Sequence, residues 1–481
     1  MNETMCDILI KNGVVITMDP GRRVLMDGAV AIEKDRILDV GETAELARSY
    51  SADTVIDAEK MVVMPGLMDG HSHAGHSLLR SLGMHDETWY LACNVIYAEG
   101  STEEFWETDA LLLNLERLKF GTTCGVTFLG GGDSIMRSDD PVYAAKHCDT
   151  VEKIGVRTFL AVGPRRPPFP SKYASWRGDE KTVQMVGFEE QMDTCREVIE
   201  ANHGGASGRV NVSMMLPTPH PERKLIKGAE LEDLKYRAKA AYGLSEKHDL
   251  MFTMDGHTRG TVKFCHEELG ITGPRSLFSH STELTDEEIR ICAETGTKIA
   301  HNPSAVASMV ARCPVPELLD AGVTVVMGSD AGAPDRSFDM FRHMFVAMRY
   351  NRRHFRDSRV LPPGKTLEMT TIDGAKAFRL DDQIGSLEPG KKADIILVDM
   401  KKPHLYPLNM PVDKVTYFAN GGDVDTVIVD GEVLMEGREV KTVDEAAILE
   451  MAQEEIEAAV GRSGMKTLFD TTDRYWGHSR Y

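Results

Sequence analysis

The chain has 481 residues, of which 42% are hydrophobic and 27% are charged, a composition typical of globular proteins rather than of disordered or fibrous ones. Its formal net charge is −20, and no run of lysines or arginines offsets it, which argues against nucleic acid or an anionic membrane surface as a partner. At this length we expect one large catalytic domain and a smaller one.

The location follows from what the sequence lacks. It begins without the basic and then apolar pattern of a signal peptide, and no stretch reaches the roughly 20 apolar residues of a membrane span. The eight cysteines form no C-x-x-C pair and no regular spacing, so we expect core residues rather than a disulfide framework. We therefore expect a cytoplasmic protein with no membrane partner.

Both ends of the chain have the pattern of a small β-domain. Between residues 7 and 64, short β-branched runs alternate with turns, and similar runs recur at 384–399 and 426–435. The simplest assembly is one β-sandwich built from residues 1–62 and 381–440.

A His-x-His pair follows an apolar stretch. Residues 61–70 are rich in valine, methionine and leucine and predict a buried strand of a parallel sheet, with a kink at Pro65. His71 and His73 come next. On an extended strand, side chains two residues apart face the same way, so the two imidazoles supply half of a tetrahedral metal site. The alternative is a pair of surface histidines in a loop.

The middle of the chain predicts a barrel. Short apolar strands alternate with longer helical stretches, and seven strands are predicted after the first. They cover residues 121–127, 156–162, 210–216, 250–254, 276–279, 298–300 and 323–327. Eight strand–helix units suit a (β/α)₈ TIM barrel over residues 63–380, in which catalytic groups project from the C-terminal ends of strands.

Two sequence stretches resemble those of a known family. PGLMDGHSHAGHSLLR, which contains His71, His73 and Arg80, resembles the first-strand signature of the metal-dependent amidohydrolase superfamily, in its cytosine deaminase and triazine hydrolase-like branch. GSLEPGKKADIILVD resembles the C-terminal signature of the same superfamily. The resemblance implies a barrel with a composite chain-end domain, and within the superfamily it extends to phenylurea and molinate hydrolases.

The resemblance implies roles for residues at three other strand ends. Asp330, after strand eight, matches the aspartate that binds the metal and moves the proton of the attacking water, although a lone aspartate there would equally cap a helix. His280, after strand six, matches a histidine that contacts the metal or its water, so Asp330 and His280 are the predicted catalytic residues. His301, after strand seven, lies in a family motif, and we expect it to hydrogen-bond beside the ligands and substrate.

Strand five departs from the family pattern. The branch has His-x-x-Glu there, whereas Met254 occupies the histidine position and His257 the glutamate position. Either His257 reaches back as a ligand, or it serves as acid or base. We expect ligation, because two histidines and one aspartate hold a divalent ion poorly, and Asp255 is a lesser candidate. The predicted ligands are His71, His73, His257 and Asp330.

We expect one divalent ion per chain. Strand four lacks the lysine that bridges two metals in binuclear members of the superfamily. Zinc is the expected ion, and iron, manganese and cobalt are the other ions considered. A bound divalent cation lowers the pKa of water from about 15.7 towards about 7.

Candidate substrate contacts lie on the first strand–helix connection and on strand five. The predicted contacts are Arg80, Trp89 and Met254, with His301, and His76 and His85 lie on the same connection. Methionines and aromatic residues at the strand ends favour a small, neutral, partly apolar compound over a charged nucleotide.

Three functions remain possible. Expelling ammonia from an aromatic ring needs an acid that protonates the ring nitrogen, so the missing strand-five glutamate weakens ring deamination. We therefore favour hydrolysis of an amide, urea, carbamate or thiocarbamate bond. The alternative is deamination or dechlorination of an N-heterocyclic ring, and a third possibility is a metal-free, non-catalytic homologue.

Residues 441–481 form a C-terminal extension. Helical spacing of apolar residues predicts an amphipathic helix over 443–460, followed by an aromatic tail. This helix packs on its own barrel or on a neighbouring subunit, and we expect a homo-oligomer.

Overall fold

The N-terminal part of the chain forms most of one sheet. The computed structural model describes residues 4–84, 88–131, 135–309, 311–471 and 476–477. The first elements are β1 (Thr4–Ile16), β2 (Val24–Glu33), β3 (Arg36–Glu42), α1 (Thr43–Ser49), β4 (Tyr50–Asp57) and β5 (Met61–Pro65). One edge of strand β1 pairs antiparallel with β2. Along its other edge, the first part of β1 pairs parallel with β4 and the last part pairs parallel with β5.

Eight parallel strands form the barrel. They are β6 (Leu67–Asp69), β7 (Thr122–Phe128), β10 (Arg157–Val162), β13 (Val210–Met215), β14 (Phe252–Met254), β15 (Ser276–Ser279), β16 (Lys298–His301) and β17 (Val325–Met327). Each pairs with the next in chain order. The Gly70 amide donates to the Met327 carbonyl at 2.8 Å, which joins the last strand to the first. The predicted (β/α)₈ barrel is confirmed.

Helices and two hairpins connect and follow the barrel strands. The hairpins are β8 (Gly130–Gly131) with β9 (Ile135–Met136), and β11 (Ser171–Arg177) with β12 (Glu180–Val186). The helices are α2 (Trp89–Val95), α3 (Glu103–Lys119), α4 (Val142–Ile154), α5 (Phe188–Asn202), α6 (Gly205–Gly208), α7 (Ala229–Lys247), α8 (Thr261–Phe264), α9 (Asp286–Thr295), α10 (Pro303–Ser308), α11 (Val315–Asp320), α12 (Met340–Phe355), α13 (Pro363–Met369) and α14 (Ile372–Phe378). Two π-helical turns, Ile96–Gly100 and Cys265–Leu269, extend α2 and α8.

The C-terminal strands complete the first sheet. The remaining elements are β18 (Ile395–Asp399), α15 (Pro411–Phe418), β19 (Val424–Val429), β20 (Glu432–Glu436), β21 (Glu439–Val440) and α16 (Glu445–Ser463). Strand β18 pairs antiparallel with β5, so one nine-stranded sheet contains both chain ends. Its strands enclose their own apolar cluster, which includes Ile10, Val30, Ile395 and Ile428. The composite chain-end domain is thus confirmed, and its boundaries stay a prediction.

The run at residues 61–70 is divided between two sheets, so its interpretation as one strand was wrong. Strand β5 belongs to the chain-end sheet and β6 to the barrel. The backbone changes its hydrogen-bond partners between Gly66 and Leu67. The Gly66 amide donates to the Asp394 carbonyl, and the Leu67 amide donates to the Gly121 carbonyl. A Cβ on Gly66 would meet Thr123 Oγ1 at 2.1 Å, so the crossing needs glycine.

The C-terminal helix packs on the barrel of its own chain. Lys119 Nζ of α3 lies 2.6 Å from a carboxylate oxygen of Glu445, and Arg462 Nε donates to the Gly100 carbonyl at 2.7 Å. Most of the aromatic tail, residues 472–475 and 478–481, lies outside the described residues. Among the helices described, none combines the length and apolar character needed to cross a bilayer.

Candidate active site

Five histidine and aspartate side chains, of types that can bind a metal ion, meet at the C-terminal mouth of the barrel. They are His71 and His73 after β6, Asp255 after β14, His280 after β15 and Asp330 after β17. His280 and Asp330 have φ angles of +61° and +53°, a left-handed backbone that is uncommon for residues other than glycine and clusters at functional sites.

Distances within the cluster link all five side chains. His71 Nε2 lies 3.2 Å from Asp255 Oδ1 and 3.4 Å from Asp330 Oδ1. His73 Nε2 lies 3.2 Å from Asp330 Oδ1, and His280 Nε2 lies 3.1 Å from Asp255 Oδ1. Two carboxylates thus face three imidazole nitrogens across one small space.

The donor set fits a divalent ion. Ligands about 2.0–2.1 Å from a tetrahedral ion lie about 3.3 Å from one another, close to the spacings found here. The buried Nε2 of His71 makes no aligned hydrogen bond to either carboxylate, as expected of an atom turned towards an ion. The ring of His73 is oriented by its Nδ1, which lies 3.0 Å from the Gly130 carbonyl and leaves Nε2 for the cluster.

The electrostatics of the cluster favour a positive charge. Burial disfavours protonated His71, but Asp255 and Asp330 outweigh it and raise the pKa of His71 to about 9. Burial likewise opposes the charged carboxylates, yet the facing histidines hold the pKa of Asp255, and Arg336 with the histidines that of Asp330, well below the usual range. The cluster therefore carries two negative charges that a divalent cation would neutralise.

His257 lies beside the cluster rather than in it. Among the described residues, two sets of three side chains lie close enough together to bind one metal ion. One set is His71, Asp255 and His280, the other is His71, His73 and Asp330, and neither contains His257. Asp255, the lesser sequence candidate, has the position that we expected His257 to take. The His257 ring instead stacks on Phe278, with ring centroids 4.0 Å apart. Ligation by any of these residues stays a prediction.

The predicted substrate contacts lie in different places. Trp89 lines the cavity above the cluster. Arg80 pairs with Glu116 and lines a neighbouring cavity, and Met254 is fully buried in the barrel core, so neither is brought to the substrate cavity. His301 is 1% exposed, and neither ring nitrogen has a hydrogen-bond partner among the described residues. His85 lies outside the described residues.

The cavity of about 490 Å³ above the cluster contains residues that the sequence did not single out. Arg336, six residues after Asp330, places its Nε 3.3 Å from Asp330 Oδ2. Tyr90, His220 and Arg223 also line the cavity. Arg336, His220 and Arg223 lie on connections between elements, where no periodicity marks them, whereas Tyr90 lies in the first turn of α2.

Comparison with known proteins identifies the family. Residues 62–434 match the model described as the amidohydrolase family. The chain belongs to the amidohydrolase family. It is accordingly a metal-dependent hydrolase that acts on carbon–nitrogen bonds other than peptide bonds. Residues 28–50 match an imidazolonepropionase-like composite domain of bacteria, in agreement with the chain-end sheet.

Full-length relatives include deaminases. The chain is 32% identical over 465 residues to a 5'-deoxyadenosine deaminase of Methanosarcina mazei, covering 95% of this chain and 99% of the relative. It is 31% identical over 469 residues to a 5-methylthioadenosine/S-adenosylhomocysteine deaminase of Desulforudis audaxviator, with coverages of 93% and 97%. These relatives favour the deamination alternative over the amide or urea reaction.

Solved structures share the fold. An adenosine deaminase from Xanthomonas campestris with bound zinc has a TM-score of 0.82 at 22% identity, covering 96% of this chain and 100% of that one. Atrazine chlorohydrolase from Arthrobacter aurescens complexed with zinc has a TM-score of 0.75 at 19% identity, with coverages of 93% and 100%.

Proposed function

We propose that this amidohydrolase is an aminohydrolase that releases ammonia from an amino-substituted N-heterocycle. Full-length relatives at 31–32% identity are named as deaminases of adenine-containing nucleosides, and this observation carries the proposal. The cavity of about 490 Å³ has room for such a ring next to the five-residue cluster.

The proposed cofactor is one divalent ion, with zinc the first choice. His71, His73, His280, Asp255 and Asp330 would hold it, and when bound it would lower the pKa of a water towards about 7 and polarise the carbon under attack. Zinc is bound in the similar structures of the Xanthomonas and Arthrobacter enzymes.

Asp330 is the proposed proton carrier. Its carboxylate is at the cavity wall, and Arg336 stabilises the unprotonated form that can accept a proton. In the reaction, water oxygen bonds to the ring carbon and the bond from that carbon to the exocyclic amine breaks. Asp330 accepts one proton from the water and passes it to the leaving amine, and the second water proton ends on a ring nitrogen, so the products are a ring carbonyl and ammonia.

The test measures both candidate reactions on the metal-loaded protein. We expect ammonia release from aminopurines or aminotriazines and no amine release from aryl ureas or carbamates. Both the metal-stripped protein and Asp330→Asn should lose the activity. Amine release without ammonia release would reject the deaminase proposal in favour of urea or carbamate hydrolysis.

A further inference from the structure

His257 has a fixed place in the cavity wall. The residue is 1% exposed, and its ring stacks on Phe278 with ring planes 18° apart. The ring lines the same cavity as Asp255 and Asp330, so it lies within reach of a ring bound over the cluster.

The hydrogen bonds of Thr261 determine which nitrogen of His257 carries the proton. Thr261 Oγ1 donates its single hydrogen to the Thr258 carbonyl at 2.6 Å and accepts from the Thr258 amide at 3.0 Å. The same oxygen lies 2.9 Å from His257 Nδ1. Because a hydroxyl has one hydrogen and two lone pairs, it is left only as an acceptor towards His257. Nδ1 therefore carries the hydrogen.

The other nitrogen is consequently an acceptor. In a neutral imidazole with hydrogen on Nδ1, Nε2 has a free lone pair. Nε2 is buried and has no hydrogen-bond partner among the residues described. A hydrogen on Nε2 as well would be a buried N–H with no acceptor among the residues described, so the ring is neutral. A cation at the cluster would act in the same direction.

We propose that His257 Nε2 accepts a hydrogen bond from the substrate and selects amino-heterocycles of the guanine type over the adenine type. This inference rests on the proposed aminohydrolase function. In a guanine-type ring, the carbon that bears the amine is next to a ring N–H, which can donate to Nε2. In an adenine-type ring, the nitrogen next to that carbon has only a lone pair, which Nε2 would repel.

The same hydrogen bonds exclude His257 as the acid that the strand-five glutamate would supply. Either type of ring must receive a proton on the nitrogen of the C=N bond that water attacks, and a His257 ring with its hydrogen held by Thr261 does not supply one. The guanine-type ring differs in carrying a hydrogen on the nitrogen that faces His257. His257 is then a specificity-determining residue rather than an acid.

The kinetic test compares ammonia release from guanine and guanosine with that from adenine, adenosine and 5'-deoxyadenosine, using the zinc-loaded protein. We expect kcat/KM to favour the guanine type by about tenfold to hundredfold or more, as for other sites with a mismatched polar group. Thr261→Val frees the ring to carry its hydrogen on Nε2, and this preference should fall towards unity. Thr150→Val is the matched control, because its buried hydroxyl also donates to a backbone carbonyl, on the distant helix α4.

A second measurement reads the proton position directly. Nitrogen-15 NMR of the histidine side chains, with His257 assigned from its absence in His257→Gln, should give an Nε2 signal without attached hydrogen in the wild-type protein. Hydrogen on Nε2 of the wild-type protein, or a preference for 5'-deoxyadenosine over guanosine, would overturn the inference while the aminohydrolase function stands. No ammonia from any heterocycle would reject the proposed function, and the inference with it.

Discussion

Arg336 and Asp330 form a buried pair at the edge of the cluster. Arg336 Nε lies 3.3 Å from Asp330 Oδ2, while Asp330 Oδ1 lies 3.2 Å from His73 Nε2. Burial alone would raise the pKa of Asp330, but Arg336 and the facing histidines lower it well below the usual range. One oxygen of Asp330 thus faces the metal donors, and a fixed positive charge holds the other. Arg336 also offsets part of the negative charge that Asp255 adds.

Removal of this charge should weaken catalysis and shift its pH dependence. In Arg336→Gln, Asp330 binds a proton more readily, so the acidic limb of the kcat/KM profile should move to higher pH. We expect kcat/KM at neutral pH to fall by roughly tenfold to hundredfold, the usual cost of losing a group that orients a metal ligand. Arg336→Lys keeps the charge and should retain most of the activity. An unchanged pH profile in Arg336→Gln would show that the pair does not act on the proton carrier.

The metal content of variants distinguishes Asp255 from His257 as the metal ligand that follows strand five. Asp255→Asn should lower zinc affinity by about a hundredfold or more, because a ligand is lost rather than a group behind one. His257→Asn should retain zinc at the wild-type level. Equilibrium dialysis with elemental analysis measures both, and Asp382→Asn, at an exposed site, controls for the change in net charge. Loss of zinc from His257→Asn alone would restore the ligand set expected from the sequence.

The sequence predicted most of the site because most of it follows strands. His71, His280 and Asp330 each come within three residues of an apolar run, His73 follows two residues after His71, and parallel strands bring their C-terminal ends to one mouth. The barrel could be predicted for the same reason, since strand and helix periodicities alternate eight times.

The features that the sequence did not predict depend on the geometry of turns. Strand β14 has only three residues, and the turn after it brings Asp255 forward while Thr261 holds His257 aside. Spacing along the chain does not distinguish these outcomes. Arg336 lies in the loop after Asp330, and the division between β5 and β6 depends on which backbone groups the Gly66 and Leu67 amides meet. These are tertiary contacts without a local pattern.

A buried ion pair below the cluster should stabilise the fold. Asp69 accepts from Arg117 Nη2 at 2.8 Å and from the amide of Ser329 at 2.8 Å, so it joins β6 to the turn before Asp330. Both charged side chains are at most 1% exposed. Arg117→Met leaves the carboxylate uncompensated and should lower the free energy of unfolding by about 3–5 kcal/mol in urea titrations.

An exposed pair provides the control for this variant. Lys153 Nζ lies 2.9 Å from Glu107, and the Lys153 side chain is 54% exposed. Lys153→Met should therefore change the free energy of unfolding by at most about 1 kcal/mol. If Arg117→Met and Lys153→Met changed the free energy of unfolding equally, the role assigned to the buried pair would be contradicted.

The stability of the metal-free protein should fall as pH rises from about 7.5 to 8.5. The folded-state pKa of His71 is about 9, above the ordinary value of 6.5, so folding favours its protonated form. The stabilisation is complete below pH 6.5 and is lost as pH rises towards 9, by up to about 3 kcal/mol. Histidines such as His257 and His301 have lowered pKa values, and the opposite slope that they contribute ends by about pH 7.5. With zinc bound, His71 must be neutral, so urea titrations of the loaded protein should give a flat profile in this range. A flat profile for the metal-free protein would instead mean that the two carboxylates do not hold a proton on His71.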